Sequence, residues 1–205
     1  LPIYLEDVSS VGRRWANTEV HARLRDEGKW SEAVAAYLAC IHFADAQMGR
    51  LLDGLEASPH ADNTVIVLWA DHGWHLGEKS HWKKSTLWEE ATRVPLLISA
   101  PGFSKGRCSK PVGLIDLYPT LLDLCGLPDR SGLEGQSIRP LLENPDRAWD
   151  RPGLTTHGRE NHAVRSERWR YIRYADGSEE LYDHDADELE WTNLANDGSL
   201  QAVRD

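Results

Sequence analysis

Apolar residues recur at three- and four-residue steps between residues 34 and 55, which is the spacing of an amphipathic helix. The positions that carry this pattern are Val34, Leu38, Ile41, Met48, Leu51, Leu52 and Leu55. Ser31 stands where it can cap such a helix, and the polar residues 58–63 end it. The pattern predicts one long helix with a single buried face, whereas the polar residues 1–30 predict irregular structure.

Two short apolar runs, at residues 64–70 and 94–99, are typical of strands that are buried on both faces. Residues 86–92 between them predict a short helix. Residues 114–125 predict another helix, with Gly126 as its C-cap. Strands that alternate with helices favour a mostly parallel sheet covered by helices. The sequence therefore predicts an α/β domain over residues 1–145.

A different pattern begins beyond the proline-, glycine- and charge-rich residues 127–153, in which only residues 137–142 predict a short turn or helix. Apolar and polar side chains alternate at residues 162–166, 169–174 and 180–182, as they do in half-buried strands. Residues 175–178, ADGS, are a hairpin turn signal. The sequence predicts a small antiparallel β subdomain over residues 146–205.

The composition of the chain argues against some classes of binding partner. The formal net charge of the 205-residue chain is −10 at pH 7, which argues against nucleic acid or an anionic membrane as the main partner. No stretch approaches the roughly 18 apolar residues of a membrane span, and no secretory leader is expected in the first residues. Three widely spaced cysteines predict no disulfide framework.

The candidate chemistry lies in residues 69–95. Asp71 and His72 follow an apolar run, where a strand of an α/β sheet delivers residues to the rim of a cleft. Carboxylate oxygens are hard ligands that suit Ca²⁺ or Mg²⁺, whereas imidazole is a softer and poorer calcium ligand. The same stretch gathers the cations Lys79, Lys83, Lys84 and Arg93. Its composition indicates a site that holds a metal cation and an anionic substrate together.

The sequence DHGWHLGE at residues 71–78 resembles the second metal-binding motif of the sulfatases, and most closely that of the branch that contains iduronate-2-sulfatase and choline-sulfatase. Lys84 and the sequence RVP at residues 93–95 match the downstream pattern of the same family. The resemblance continues, in order, at residues 36–41, 116–122, 180–183 and 190–194. It implies the C-terminal part of an alkaline-phosphatase-like α/β/α sandwich, followed by a small antiparallel β subdomain.

The resemblance also implies roles for individual residues. Asp71 would bind the family's divalent ion, usually calcium, with magnesium as the alternative. His72 would contact the metal or the sulfate. Lys84 would contact the sulfate ester and offset the charge that develops on the transferring group. Further candidates for substrate contact are His75, His81, His162 and Arg165, while Glu89 and Arg93 are expected to form a structural ion pair.

Sulfatases also carry an early Asp-Asp metal pair and a Cys-x-Pro-Ser-Arg signature, whose cysteine is oxidised to the formylglycine nucleophile. Neither Cys40, Cys108 nor Cys125 lies in such a sequence. The chain therefore resembles the C-terminal portion of a sulfatase and is expected to be inactive alone. Its expected partners are the N-terminal half of the same fold and a sulfated small molecule or carbohydrate, and the family resemblance favours a periplasmic or secreted location.

Two other functions stay open on the sequence. One is hydrolysis of a phosphodiester or phosphonate ester by a member of the same superfamily, which also uses an Asp-His-Gly motif. The other is a non-catalytic, truncated relative that binds a partner or ligand.

Overall fold

The structure, a computed structural model, describes residues 5–204, and its first elements are two short helices. They are α1 (Ser10–Trp15) and α2 (Thr18–Asp26). The expectation of irregular structure before residue 30 is wrong because both helices carry local N-caps. The Ser9 hydroxyl accepts from the backbone N–H of Gly12, and the Asn17 side chain accepts from that of Val20.

The predicted long helix is present as α3 (Trp30–Glu56), 27 residues in length. None of its residues is buried against the described part of the chain. Large apolar side chains, Leu38, Ile41, Phe43, Leu51 and Leu52, are exposed along it. The apolar face that the pattern predicted therefore exists, but residues 5–204 do not cover it.

The strands of the first sheet are β1 (Ile66–Trp69) and β4 (Leu96–Ser99), and they pair antiparallel, with Ile66 opposite Ser99. The prediction of a mostly parallel sheet is wrong for the described residues, in which every strand pair is antiparallel. The connection contains a hairpin of β2 (His75–Leu76) and β3 (Trp82–Lys83) with a 3-10 turn at Glu78–Ser80 between them, then the one-turn helix α4 (Glu89–Thr92). Burial on both faces is also not found, since Leu97 is 58% exposed.

The C-terminal region contains α5 (Leu117–Leu124) and α6 (Arg139–Glu143), then a four-stranded sheet, then α7 (Gln201–Arg204). The strands are β5 (Gly153–Thr156), β6 (His162–Arg165), β7 (Trp169–Arg173) and β8 (Glu179–Asp183). They follow one another as an antiparallel meander, so the predicted antiparallel sheet is confirmed. It also contains β5, a strand that the sequence analysis did not predict. The predicted boundary at residue 145 falls between α6 and β5, and the division into two domains stays a prediction.

The main core forms where the segment after β3 packs against the C-terminal sheet. Leu87 and Trp88 have no exposed surface and meet Ile172 and Tyr182 of the sheet. The other members of this cluster are Val8, Val11, Ala16, Ala163 and Tyr174. This core places the loop that bears the candidate chemistry directly on the sheet. Within residues 5–204, no helix has both the length and the apolar character needed to cross a membrane.

Candidate functional site

Three of the predicted site residues lie together beside the end of β1. Nε2 of His72 lies 2.8 Å from Nζ of Lys84 and 3.6 Å from Oδ2 of Asp71. Nδ1 of His72 is 2.8 Å from the carbonyl oxygen of Gly73, and a carbonyl can only accept, so Nδ1 carries the proton. In the neutral ring Nε2 therefore accepts from the Lys84 ammonium. The Asp71 side chain is 76% exposed, which leaves its carboxylate open to a ligand.

Gly73 brings α4 directly behind this site. Its N–H donates to the carbonyl oxygen of Ala91 at 2.8 Å. A Cβ atom at Gly73 would lie 1.9 Å from the carbonyl oxygen of Glu90, so no other residue fits without moving the helix. The glycine of the motif is thus explained by the close approach of two backbone segments.

The loop that presents Lys84 has an unusual backbone. Four non-glycine residues in it have positive φ angles: Lys79, Ser80, Lys83 and Ser85. Each such residue costs on the order of 1–3 kcal/mol, and this strain persists only where the surrounding contacts determine it. Strained residues cluster at functional sites, which supports a specific role for this loop.

His81 supplies one of the contacts that hold the loop. Its Nδ1 accepts from the backbone N–H of Asn17 at 2.7 Å, so its Nε2–H donates to the carbonyl oxygen of Lys84 at 3.0 Å. Burial is the main reason why the pKa of His81 is lowered, which favours this neutral ring. The observed contacts of His81 therefore position the Lys84 backbone.

His75 lies deeper in the same loop. Its side chain is fully buried, with Nε2 2.8 Å from the hydroxyl of Thr86, and its ring stands edge-on to those of His81 and Trp88. Burial is the main reason why the pKa of His75 is lowered to about 3, so the ring is neutral. All observed contacts of His75 and His81 are within the chain, and direct contact of either ring with a substrate stays a prediction.

The two candidates in the C-terminal sheet are placed apart from this trio. His162 is exposed at the start of β6, where Nδ1 lies 2.9 Å from the hydroxyl of Thr156. Nε of Arg165 lies 3.5 Å from the carboxylate of Glu89, behind α4. In residues 5–204 neither side chain shares a hydrogen bond or ion pair with the site trio. Their role in substrate contact likewise stays a prediction.

Glu89 is the centre of a buried ion-pair cluster that the sequence did not reveal. The predicted pair with Arg93 is present at 3.6 Å, but Glu89 also accepts from the buried guanidinium of Arg170. Nε of Arg170 lies 2.5 Å from Glu190, whose carboxylate also lies 3.0 Å from His184. The signal that was available is the position of Arg170 on the inward face of β7, between the less buried Trp169 and Tyr171.

Glu89, His184 and Glu190 bring their donor atoms within 4.8 Å of one another, a spacing that a metal ion can use. Arg170 already donates to Glu89 and forms an ion pair with Glu190, so its guanidinium offsets part of their charge. The cluster therefore fits an internal ion-pair network better than a metal centre. Binding of the divalent ion by Asp71 and His72, which the sequence implies, stays a prediction.

A cationic cleft of about 580 Å³ opens beside Lys84. Four of its lining residues are cationic, namely Arg13, Arg14, Lys83 and Lys84, and one is acidic, Glu19. In a chain of net charge −10 this is a local reversal of sign. Such a cleft attracts anions through its local field.

Comparisons with known proteins place these features in one family. The family model described as "Sulfatase" matches residues 7–127, and the model described as "N-sulphoglucosamine sulphohydrolase, C-terminal" matches residues 77–205. A "Sulfatase" from Formosa agariphila is 45% identical over 172 residues, which are 83% of this chain and 34% of that protein. A "Choline-sulfatase" from Rhizobium meliloti is 36% identical over 168 residues, which are 78% of this chain and 32% of that protein. The chain thus spans about a third of the length of these relatives.

Solved structures of other proteins superpose on this chain. A protein bound to its substrate D-glucosamine-2-N,6-O-disulfate superposes with a TM-score of 0.73 at 28% identity, over 86% of this chain and 39% of that chain. The phosphonate monoester hydrolase of Agrobacterium radiobacter superposes with a TM-score of 0.73 at 26% identity, over 86% of this chain and 40% of that chain. The predicted alkaline-phosphatase-like fold is confirmed by its structural neighbours.

Proposed function

The chain belongs to the sulfatase family, and we propose that it supplies the C-terminal part of a metal-dependent enzyme that hydrolyses a sulfate ester. One observation carries this proposal: Nζ of Lys84 lies 2.8 Å from Nε2 of His72, next to the exposed carboxylate of Asp71. The three groups offer a hard metal ligand, an imidazole and an ammonium at one point. That combination suits an anionic ester held beside a divalent cation.

Asp71 would hold the divalent ion, whereas both ring nitrogens of His72 are engaged, one by the carbonyl oxygen of Gly73 and the other by Lys84. The exposed carboxylate is the ligand type that Ca²⁺ and Mg²⁺ prefer, but calcium takes about six to eight oxygens, so this chain offers part of a site. When bound, such an ion polarises a sulfate oxygen and favours attack on sulfur. Lys84 would donate to the sulfate group, and the hydrogen bond that it also donates to Nε2 of His72 orients its ammonium before substrate arrives.

The nucleophile is proposed to come from outside this chain. Cys40, Cys108 and Cys125 are exposed and free, and none has the sequence that precedes formylglycine formation. The relatives are about three times as long as the region they share with this chain. We therefore expect the isolated chain to be inactive, and its N-terminal complement to supply the formylglycine.

A sulfated carbohydrate is the proposed substrate class. Arg13, Arg14 and Lys83 line the cleft beside Lys84, so charged groups on a sugar next to the reacting ester would meet cations there. The structural neighbour that is bound to glucosamine disulfate supports the same class.

A second candidate function is hydrolysis of a phosphonate monoester. It is favoured by the Agrobacterium neighbour, whose TM-score of 0.73 equals that of the glucosamine disulfate complex. An ammonium and a divalent ion also stabilise charge on a phosphoryl group, so the trio by itself fits both reactions.

The experiment is an assay of the longer polypeptide in which this chain is joined to its preceding coding sequence. 4-Nitrophenyl sulfate and 4-nitrophenyl phenylphosphonate are compared, each with the wild type, Asp71→Asn and the exposed control Glu188→Gln. We expect faster turnover of the sulfate, lost in Asp71→Asn and kept in the control. Preference for the phosphonate would favour the second function. A folded protein that hydrolyses neither ester would overturn both in favour of a non-catalytic relative.

A further inference from the structure

Glu190 is a fully buried carboxylate that reaches from the segment after β8 into the back of α4. Its Oε2 accepts from the backbone N–H of Glu89, the first residue of α4, at 2.9 Å. Trp88, the residue before the helix, provides no side-chain cap. The N-terminus of α4 is therefore capped by a side chain that lies about a hundred residues further along the chain.

Contacts then lead from α4 to the site. The carbonyl oxygen of Ala91 accepts from the N–H of Gly73 at 2.8 Å, and the carbonyl oxygen of Gly73 accepts from Nδ1 of His72 at 2.8 Å. Gly73 and Glu90 approach so closely that a Cβ atom at Gly73 would clash with the carbonyl oxygen of Glu90. A shift of α4 would thus move the His72 ring, and with it the atom that accepts from Lys84.

The backbone of Glu190 also anchors the loop that carries Lys84. Its carbonyl oxygen accepts from Nζ of Lys79, which lies 5.3 Å from the ring centroid of Trp88 and 4.7 Å from that of Tyr182. Lys79 has a φ of 49° and Glu190 a φ of 57°. Two strained residues in direct contact indicate that this junction is determined by its surroundings.

The charge of Glu190 is compensated within the protein. Burial by itself would raise its pKa, but Arg170 and His184 outweigh burial and lower the pKa to about 2. The side chain is therefore a carboxylate at every working pH. Both of its oxygens are in use, one by Arg170 and His184 and the other by the N–H of Glu89.

We propose that Glu190 is a positioning residue, which fixes α4 through its carboxylate and the 79–85 loop through its carbonyl oxygen, and so sets the His72–Lys84 contact. Its effect on catalysis rests on the function proposed above, whereas its effect on the geometry of the site does not. A glutamine here has only one acceptor oxygen, so it cannot serve both Arg170 and the N–H of Glu89.

Amide hydrogen exchange of the 205-residue chain tests the geometry without any assay of activity. Glu190→Gln is compared with Glu188→Gln, which removes the same charge at an exposed position two residues away. We expect the Gly73 amide to lose at least about tenfold in protection relative to Tyr174, whose N–H pairs with Ser178 in the C-terminal hairpin. The control should leave this ratio unchanged.

Equal loss at Gly73 and Tyr174 would mean general destabilisation, and no loss at Gly73 would mean that α4 is held by other contacts. Either result overturns the proposal. If Glu190→Gln does not fold, Glu190→Asp provides the same comparison. It keeps the charge beside Arg170, but its shorter side chain cannot reach both partners.

In the longer polypeptide, Glu190→Gln should lower kcat at least about tenfold with little change in KM, and Glu190→Asp should recover part of the loss. A raised KM with an unchanged kcat would contradict a positioning role. If the wild type is inactive, the proposed function fails, while the exchange ratio still decides the role of Glu190 in the geometry.

Discussion

Nζ of Lys84 lies 2.8 Å from Nε2 of His72, although the two residues are twelve positions apart in the chain. The strained loop and the backbone contact from His81 bring Lys84 to this point. Lys83 stands opposite His75 in the β2–β3 hairpin, and its side chain has no hydrogen bond or ion pair among the described residues. The two adjacent lysines are therefore not equivalent.

Lys84→Ala should harm the chemical step of the longer polypeptide far more than Lys83→Ala. An ammonium held beside the transferring sulfuryl group stabilises developing charge by about 3 kcal/mol, which is about a hundredfold in rate. Among residues 5–204 the hydrogen bond to His72 comes from Lys84 and not from Lys83, so removal of Lys83 should mainly weaken attraction of anions to the cleft and raise KM. The measurement is kcat and KM of both variants with an aryl sulfate. Equal losses of kcat would show that the register of the loop is assigned wrongly.

The resemblance to the sulfatase motif singled out Asp71, His72 and Lys84, which lie within fourteen residues after a predicted strand. The structure brings these side chains together, and their roles stay predictions. The buried cluster behind them could not be found in this way. Glu89 is 81 residues from Arg170 and 101 residues from Glu190, and periodicity carries no information on such pairings.

Strand direction was mispredicted for a related reason. An apolar run such as residues 64–70 reads the same whether its neighbour runs parallel or antiparallel. The segment between the two strands is long enough for a crossover helix, which favoured the parallel arrangement. In the structure that length is used by the site hairpin and by α4, and β1 pairs antiparallel with β4.

The isolated chain should bind calcium weakly, if at all. Asp71 is the only exposed carboxylate in the trio, and a calcium site of even millimolar affinity uses about six or more oxygens. Isothermal titration calorimetry of the wild type and of Asp71→Asn measures this directly. Micromolar or tighter binding that disappears in Asp71→Asn would mean that further ligands lie within this chain.

The titration of the Glu90 carboxyl should lower the free energy of unfolding as the pH rises through neutrality. Burial, together with the Glu190 carboxylate, raises the pKa of Glu90 from 4.5 to about 7. A raised pKa means that the folded state binds the proton more tightly, so the stabilisation is complete below pH 4.5 and is lost by about pH 7. The loss is on the order of 3 kcal/mol.

Urea unfolding of the chain at pH 5 and pH 8 measures this effect. The wild type should lose about 3 kcal/mol more than Glu90→Gln between the two pH values. The lowered pKa of His75 acts in the opposite sense and makes stability fall toward acid in both proteins. Glu56→Gln, at the exposed end of α3, should behave as the wild type does. A pH dependence that survives in Glu90→Gln would assign the titration to another group.

The isolated chain should self-associate through α3. Phe43 is 67% exposed and Leu51 is 75% exposed on this helix, and exposed apolar patches of this kind drive association. Because the relatives are about three times as long, we expect the rest of the fold to cover this face in the longer polypeptide. Sedimentation velocity should therefore show concentration-dependent oligomers for the chain and a smaller tendency for the longer protein.

Matched substitutions test whether the apolar surface of α3 causes the association. The double change Phe43→Glu and Leu51→Glu should shift the chain toward monomer, because charge on the patch opposes burial. Ser104→Glu together with Ser109→Glu adds the same charge at exposed polar positions outside α3 and should leave the oligomers in place. A wild-type chain that stays monomeric at all concentrations, with a sharp and reversible unfolding transition, would show that α3 needs no covering partner.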